Sequence, residues 1–109
     1  MSDKLKVYLS GAIASDPNYQ EKFGEAERLV AGVGMVPLNP AVLPSGMKQS
    51  DYMRINFSML DSATIVLFLD DWQSSPGARL EHAYAEYIGK PSMTMAEFIR
   101  RYVVALSER

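Results

Sequence analysis

The chain has 109 residues, of which 48% are hydrophobic and 22% are charged, and this length and composition predict one folded domain spanning residues 1–109. Eleven basic and thirteen acidic residues give a net charge of -2, so a small-molecule partner is favoured over a nucleic-acid polymer or an anionic membrane. The lack of cysteine excludes disulfides and thiolate chemistry, and a single histidine argues against a zinc site, so we expect neither metal nor cofactor.

The N-terminal residues 1–6 are polar and charged, and no long hydrophobic stretch of the signal-peptide type follows them. The strongly apolar segment at residues 63–69 is too short to cross a bilayer. We therefore expect a cytoplasmic protein.

Strand and helix patterns alternate along the first half of the chain. Residues 5–10 (LKVYLS) predict a strand that ends at Gly11. Residues 19–34 carry apolar side chains at three-and-four spacing, which predicts an amphipathic helix. Residues 35–38 predict a short strand, and the prolines and glycine after it predict about fifteen residues of irregular loop.

The second half continues the alternation. Residues 51–63 predict a helix capped by Ser50 or Asp51. Residues 64–69 (TIVLFL) form a continuous run of apolar and β-branched side chains, which is typical of a central strand covered by helices on both faces.

Two helices are predicted after the central strand. The first covers residues 78–88 and stops at Gly89. Thr94 and Glu97 form a capping-box pair that opens the last helix, which extends through Leu106. This order predicts an α/β fold, a small doubly wound parallel sheet of the flavodoxin or Rossmann type with four to five strands and helices on both faces.

In such sheets, ligands bind beyond the carboxyl ends of the strands, at the point where the strand order reverses. The candidate binding residues are therefore those at and after the strand ends: Tyr8, Ser10, Gly11, Asn39, Asp70, Asp71, Trp72, Ser74, Ser75 and Gly77. Glu81 follows near the start of the next helix, where it either points back into the crevice or lies on an exposed helix face. Spacing alone does not choose between these two directions.

Three neighbours of this site have competing interpretations. His82 is adjacent to Glu81, but neighbouring side chains on a helix face different directions, so a structural role is favoured. Trp72 either stacks on a base or plugs the loop. One of Asp70 and Asp71 is expected to cap the following turn.

Residues 75–91 (SPGARLEHAYAEYIGKP), together with the YLSG run at 8–11 and the Asn39-Pro40 pair, resemble the nucleoside 2-deoxyribosyltransferase-like superfamily. The resemblance spans residues 5–91 and is nearest to small, uncharacterised phage and bacterial members. It implies that Glu81 attacks the anomeric carbon of a nucleoside or nucleoside 5'-monophosphate, that Tyr8 orients Glu81, and that Ser75 contacts the substrate. It also implies a homo-oligomer, a dimer or larger.

Two features of the sequence depart from the pattern of this superfamily. Asn56 stands where relatives carry an aspartate that protonates the leaving base, and an amide cannot titrate. The first loop lacks the arginine that grips phosphate in nucleotide-cleaving relatives.

We therefore expect an enzyme that cleaves an N-glycosidic bond, by hydrolysis or transfer, with Glu81 and Tyr8 as catalytic residues. The alternative is a non-catalytic nucleotide-binding or sensing module of the same fold, and a third hypothesis is an interaction protein with a vestigial pocket.

Overall fold

The computed structural model describes residues 4–105, in which strands and helices alternate. The strands are β1 (Lys6–Ser10), β2 (Val36–Leu38), β3 (Ile65–Phe68) and β4 (Ser92–Thr94). The helices are α1 (Tyr19–Gly32), α2 (Gln49–Ser62), α3 (Pro76–Tyr87) and α4 (Met95–Phe98), and α4 continues as a π-helical segment, Ile99–Val104. No helix between residues 4 and 105 combines the length and apolar character needed to span a membrane.

The described strands form one parallel sheet in the order β2-β1-β3-β4. From β1 the chain moves outward to β2, and it then crosses back past β1 to β3. The strand order therefore reverses between β1 and β3, which makes the crevice beyond their carboxyl ends the expected ligand site. The predicted doubly wound α/β fold is confirmed.

Alternate residues of the central strands supply the two faces of the sheet. Val7 and Leu9 pack in one cluster with residues of α1 and α4 such as Phe23 and Phe98. Tyr8, the residue between them, packs in the opposite cluster, whose remaining buried members are Leu60, Ala63, Val66, Phe68 and Ala85. Both faces of the sheet are therefore covered, with α1 and α4 on one side and α2 and α3 on the other.

Several element boundaries differ from the sequence-based expectation. Helix α2 begins at Gln49 with Lys48 at its N-cap position, so the predicted cap by Ser50 or Asp51 is wrong. The Tyr52 hydroxyl donates to the Pro44 carbonyl (2.6 Å) and accepts from the Met47 amide (3.3 Å), which fixes the loop ahead of this helix. A side chain inside the helix thus anchors the loop that precedes it.

The C-terminal region also differs in part. Strand β4 was not assigned from the sequence, because three residues after a proline carry no periodic signal, and its pairing with β3 defines it. The capping box of Thr94 and Glu97 is present as predicted. The helix it opens changes to π-helical geometry at Ile99, and the predicted end at Leu106 lies outside the described residues.

Candidate active site

A cavity of about 430 Å³ lies beyond the carboxyl ends of β1, β2 and β3, with α2 as one wall and the start of α3 as another. This volume is within the roughly 300–1,000 Å³ that small-molecule sites occupy. Most of the side chains around it are apolar: Leu9, Ile13, Ala14, Pro40, Met53, Pro76, Ala78 and Leu80. Its polar members are Tyr8, Gln49, Asn56, Ser75 and Glu81.

Glu81 points inward, and only 4% of its surface is exposed. The Tyr8 hydroxyl donates to Glu81 Oε2 at 2.8 Å, and Ser10 Oγ donates to Glu81 Oε1 at 2.6 Å. Tyr8 and Ser10 are two residues apart on β1, so both side chains face the α2 and α3 side of the sheet. One strand thus supplies a hydroxyl donor for each carboxylate oxygen.

The start of α3 fixes the direction of Glu81. Ser75 caps the helix by accepting from the Ala78 amide at 3.2 Å, and Pro76 occupies the first helical position, which proline suits. The helix therefore begins two residues before the predicted start at Ala78. Ala78, Glu81 and Ala85 share its buried face at the spacing of a helical turn.

The ionisation of this carboxylate is set by opposing effects. Burial raises the pKa of Glu81 above its ordinary value of 4.5, and the hydrogen bonds from Ser10 and Tyr8 and the nearby Asn56 amide act in the opposite direction. Burial and the negative charge of Glu81 raise the pKa of Tyr8 well above 10.0. Tyr8 is therefore a neutral phenol at neutral pH and remains a hydrogen-bond donor.

Asn56 lies in the α2 wall of the cavity, one turn after Met53, and is 9% exposed. Its side-chain oxygen, Oδ1, is buried without a hydrogen-bond partner. A buried acceptor left unpaired in this way costs about 1–3 kcal/mol of stability.

Asp71 supports the cavity wall from outside. Its Oδ1 accepts from the Ala12 amide at 3.1 Å, and its Oδ2 pairs with Lys22. A Cβ on Gly11 would lie 3.1 Å from Asp71 Oδ1 and 3.0 Å from Leu69 Cβ, so this close approach requires glycine. Asp71 borders a second cavity of about 330 Å³, on the α1 and α4 side of the sheet.

Asn39 and Trp72 also lie outside the main cavity. The Asn39 side chain accepts from the Ala41 amide at 2.9 Å and donates to Glu27 at 3.3 Å, so it caps a short turn. The Trp72 ring stacks on His82 with a centroid distance of 4.2 Å and an interplanar angle of 11°. His82 thus packs against the loop after β3 and not in the cavity.

The structure brings together six of the ten predicted site residues around the cavity: Tyr8, Gly11, Asn56, Ser75, Gly77 and Glu81. Ser10 contacts Glu81 directly, while Asn39, Asp71 and Trp72 lie elsewhere. The apolar lining was not identified from the sequence. Met53 could have been found, because it is three residues before Asn56 and therefore on the same helix face.

The charges around the cavity bear on its ligand. Glu81 is the acidic residue in its lining, and no lysine or arginine is among the described lining residues. Within residues 4–105, no cluster of histidine, aspartate and glutamate could hold a metal ion.

A family model described as a domain of unknown function, DUF4406, matches residues 5–94. The chain belongs to the DUF4406 family. The matched residues include β1 and all the described residues that line the cavity, so the site lies within the DUF4406 domain. No curated protein matches the chain.

Among solved structures, this DUF4406 chain is similar to a 2-desoxiribosyltransferase from Leishmania mexicana, with a TM-score of 0.67 and 20% sequence identity. The similarity covers 83% of the chain and 63% of that protein, so the chain spans less than two thirds of its length. The two proteins therefore share a fold.

Proposed function

We propose that this protein cleaves the N-glycosidic bond of a nucleoside, with Glu81 as the nucleophile. The observation that carries this proposal is the buried Glu81 carboxylate, held by Tyr8 and Ser10 at the wall of the cavity. A carboxylate that is both desolvated and fixed in direction suits an attack on a carbon that develops positive charge. The fold shared with a 2-desoxiribosyltransferase supports the same reaction class.

The reaction proceeds in two displacements. A Glu81 oxygen bonds to the anomeric carbon while the bond from that carbon to the base nitrogen breaks, and the base leaves with the electron pair and takes a proton from water. Water then displaces Glu81 from the glycosyl ester in hydrolysis, or a second base does so in transfer. Tyr8 and Ser10 hold the carboxylate in line and support its charge when it leaves.

The surroundings of Glu81 favour an uncharged nucleoside over a 5'-monophosphate. A phosphate in this cavity would meet the carboxylate without a lysine or arginine among the described lining residues. The Ser75 hydroxyl, which the resemblance implies as a substrate contact, accepts from the Ala78 amide and keeps its proton to donate, but it carries no positive charge to balance a phosphate. We therefore place the neutral nucleoside first and the monophosphate second.

Asn56 favours a second candidate function, a nucleotide-binding or sensing module without catalysis. An amide cannot protonate a leaving base, so the poorest leaving groups would not be expelled. The buried, unpartnered oxygen of Asn56 is compatible with either function.

The proposal extends to the assembly of the protein. Leu80 (53% exposed) lies at the cavity, and Tyr87 (90% exposed) lies two turns later on α3. Exposed apolar side chains beside a site support a homo-oligomer as the functional form. We further propose that residues 1–109 form one domain of a cytoplasmic protein of the phage and bacterial type.

Base release tests the proposed reaction. The protein is incubated with a panel of nucleosides, 2'-deoxynucleosides and their 5'-monophosphates, and free base is measured by chromatography. We expect release that is lost in Glu81→Gln and retained in Glu86→Gln, since Glu86 is exposed on the same helix. Calorimetric binding without release would support the sensing module, and neither binding nor release would refute both functions.

A further inference from the structure

Two charged side chains clamp the peptide groups of Ala12, in the loop after β1. The Ala12 amide donates to Asp71 Oδ1 at 3.1 Å, and the Ala12 carbonyl accepts from Lys22 Nζ at 2.8 Å. Lys22 and Asp71 also pair with each other, and Lys22 donates to Asp16 Oδ2 at 2.8 Å. The three donors of the ammonium group are therefore all used.

The clamp joins the segments that follow β1 and β3, the two strands between which the strand order reverses. Lys22 is on α1, which follows β1, and Asp71 is in the loop after β3. Glycine at position 11 permits the contact between Ala12 and Asp71, because a Cβ at this position would collide with Leu69 and approach Asp71 closely. The pair thus fixes the loop after β1 relative to the loop that leads into α3 and Glu81.

Ala12 needs these partners because it is buried, with 2% exposure, yet it lies outside β1. A buried peptide group without a partner costs about 1–3 kcal/mol. The next two residues, Ile13 and Ala14, line the cavity, whereas Lys22 and Asp71 border the second cavity on the other side of the sheet. The clamp therefore holds one wall of the main cavity, although Lys22 and Asp71 do not themselves line that cavity.

We propose that Lys22 and Asp71 are positioning residues for the reaction at Glu81, which they serve by holding Ile13 and Ala14 against the substrate. This inference rests on the proposed function. Loss of the clamp loosens a wall that binds substrate, while the hydrogen bonds from Tyr8 and Ser10 to Glu81 stay in place. The effect therefore falls on KM more than on kcat.

The test compares Lys22→Met and Lys22→Arg with the matched control Lys90→Met. Lys90 also donates to two carbonyls, those of Asp61 (3.1 Å) and Ala63 (2.7 Å), at the end of α2 remote from the cavity. We expect Lys22→Met to raise KM about tenfold, which is the size of one lost charge-assisted hydrogen bond, with a much smaller change in kcat. Lys22→Arg keeps the charge and recovers most of this loss, and Lys90→Met leaves KM unchanged.

Amide hydrogen exchange of Ala12, followed by NMR, provides a readout independent of catalysis. Exchange at Ala12 is faster in Lys22→Met than in the wild type and unchanged in Lys90→Met. Equal effects of the two methionine variants on KM, or unchanged exchange at Ala12, would overturn the inference. If the wild type cleaves no nucleoside, the proposed function fails, and Ala12 exchange alone then decides whether the clamp exists.

Discussion

Replacing Tyr8 by phenylalanine removes one of the two hydroxyl donors to Glu81 and leaves the buried ring in place. The phenol favours the ionised carboxylate, so its loss raises the pKa of Glu81 further above 4.5. A hydrogen bond to a charged group contributes about 1.5–3 kcal/mol.

The effect of this substitution on stability depends on pH, because the pKa of Glu81 differs between the folded and the unfolded protein. The pKa of Glu81 is higher in the folded than in the unfolded protein, so its contribution to stability is present below pH 4.5 and is lost as the pH rises through the folded pKa. In Tyr8→Phe the pKa of Glu81 in the folded protein is higher still. The loss of stability therefore continues to higher pH and is larger by about 1.5–3 kcal/mol. The variant is therefore destabilised more at pH 8 than at pH 4.

Urea unfolding between pH 4 and pH 8 measures this difference. The matched control is Tyr84→Phe, because the Tyr84 hydroxyl donates to Asp61 at 2.7 Å, away from the cavity. We expect only Tyr8→Phe to move the acidic limb of kcat/KM to higher pH. A loss of unfolding free energy in Tyr8→Phe that is the same at every pH would refute the reasoning.

Three further predictions concern the charge of Glu81, the close approach at Gly11 and the capping box of the last helix. Glu81→Gln removes the buried charge, so we expect its unfolding free energy, relative to wild type in urea titrations, to increase as the pH rises above 4.5. Gly11→Ala places a Cβ 3.0 Å from Leu69 and is expected to cost about 1–3 kcal/mol in thermal unfolding, whereas Gly32→Ala, with open space around the new methyl group, should not destabilise. Thr94→Ala removes the capping box and is expected to cost about 1 kcal/mol, with no change in substrate KM.

The spacing of apolar residues predicted most of the fold, because the burial of each long element follows that spacing. The apolar run at β3 is buried on both faces, as a continuous run requires, and the spacing in α1 buries Phe23, Ala26 and Val30. Strand β4 could not be predicted in the same way, since its three residues become a strand only by pairing with β3. The π-helical turn after Phe98 likewise has no periodic signal.

The candidate site was predictable at its centre and less so at its edges. The positions of the strand ends and of the helix after β3 indicated that Glu81 is a site residue. The direction of its side chain depends on Tyr8 and Ser10, which are more than seventy residues away in sequence. The directions of the loop side chains after β3 could not be predicted from the sequence either. Asp71 turns toward Lys22, and Trp72 turns toward His82, because partners on other elements decide their direction.

The central claim is that Glu81 forms a covalent bond with the sugar. Mass spectrometry after incubation with a 2'-deoxy-2'-fluoro nucleoside tests it most directly, because the fluorine destabilises the positive charge at the anomeric carbon and slows release of the intermediate. We predict one glycosyl group on the peptide that contains Glu81 and none on Glu81→Gln. Base release by the wild-type protein with the sugar on another residue, or on none, would contradict the account.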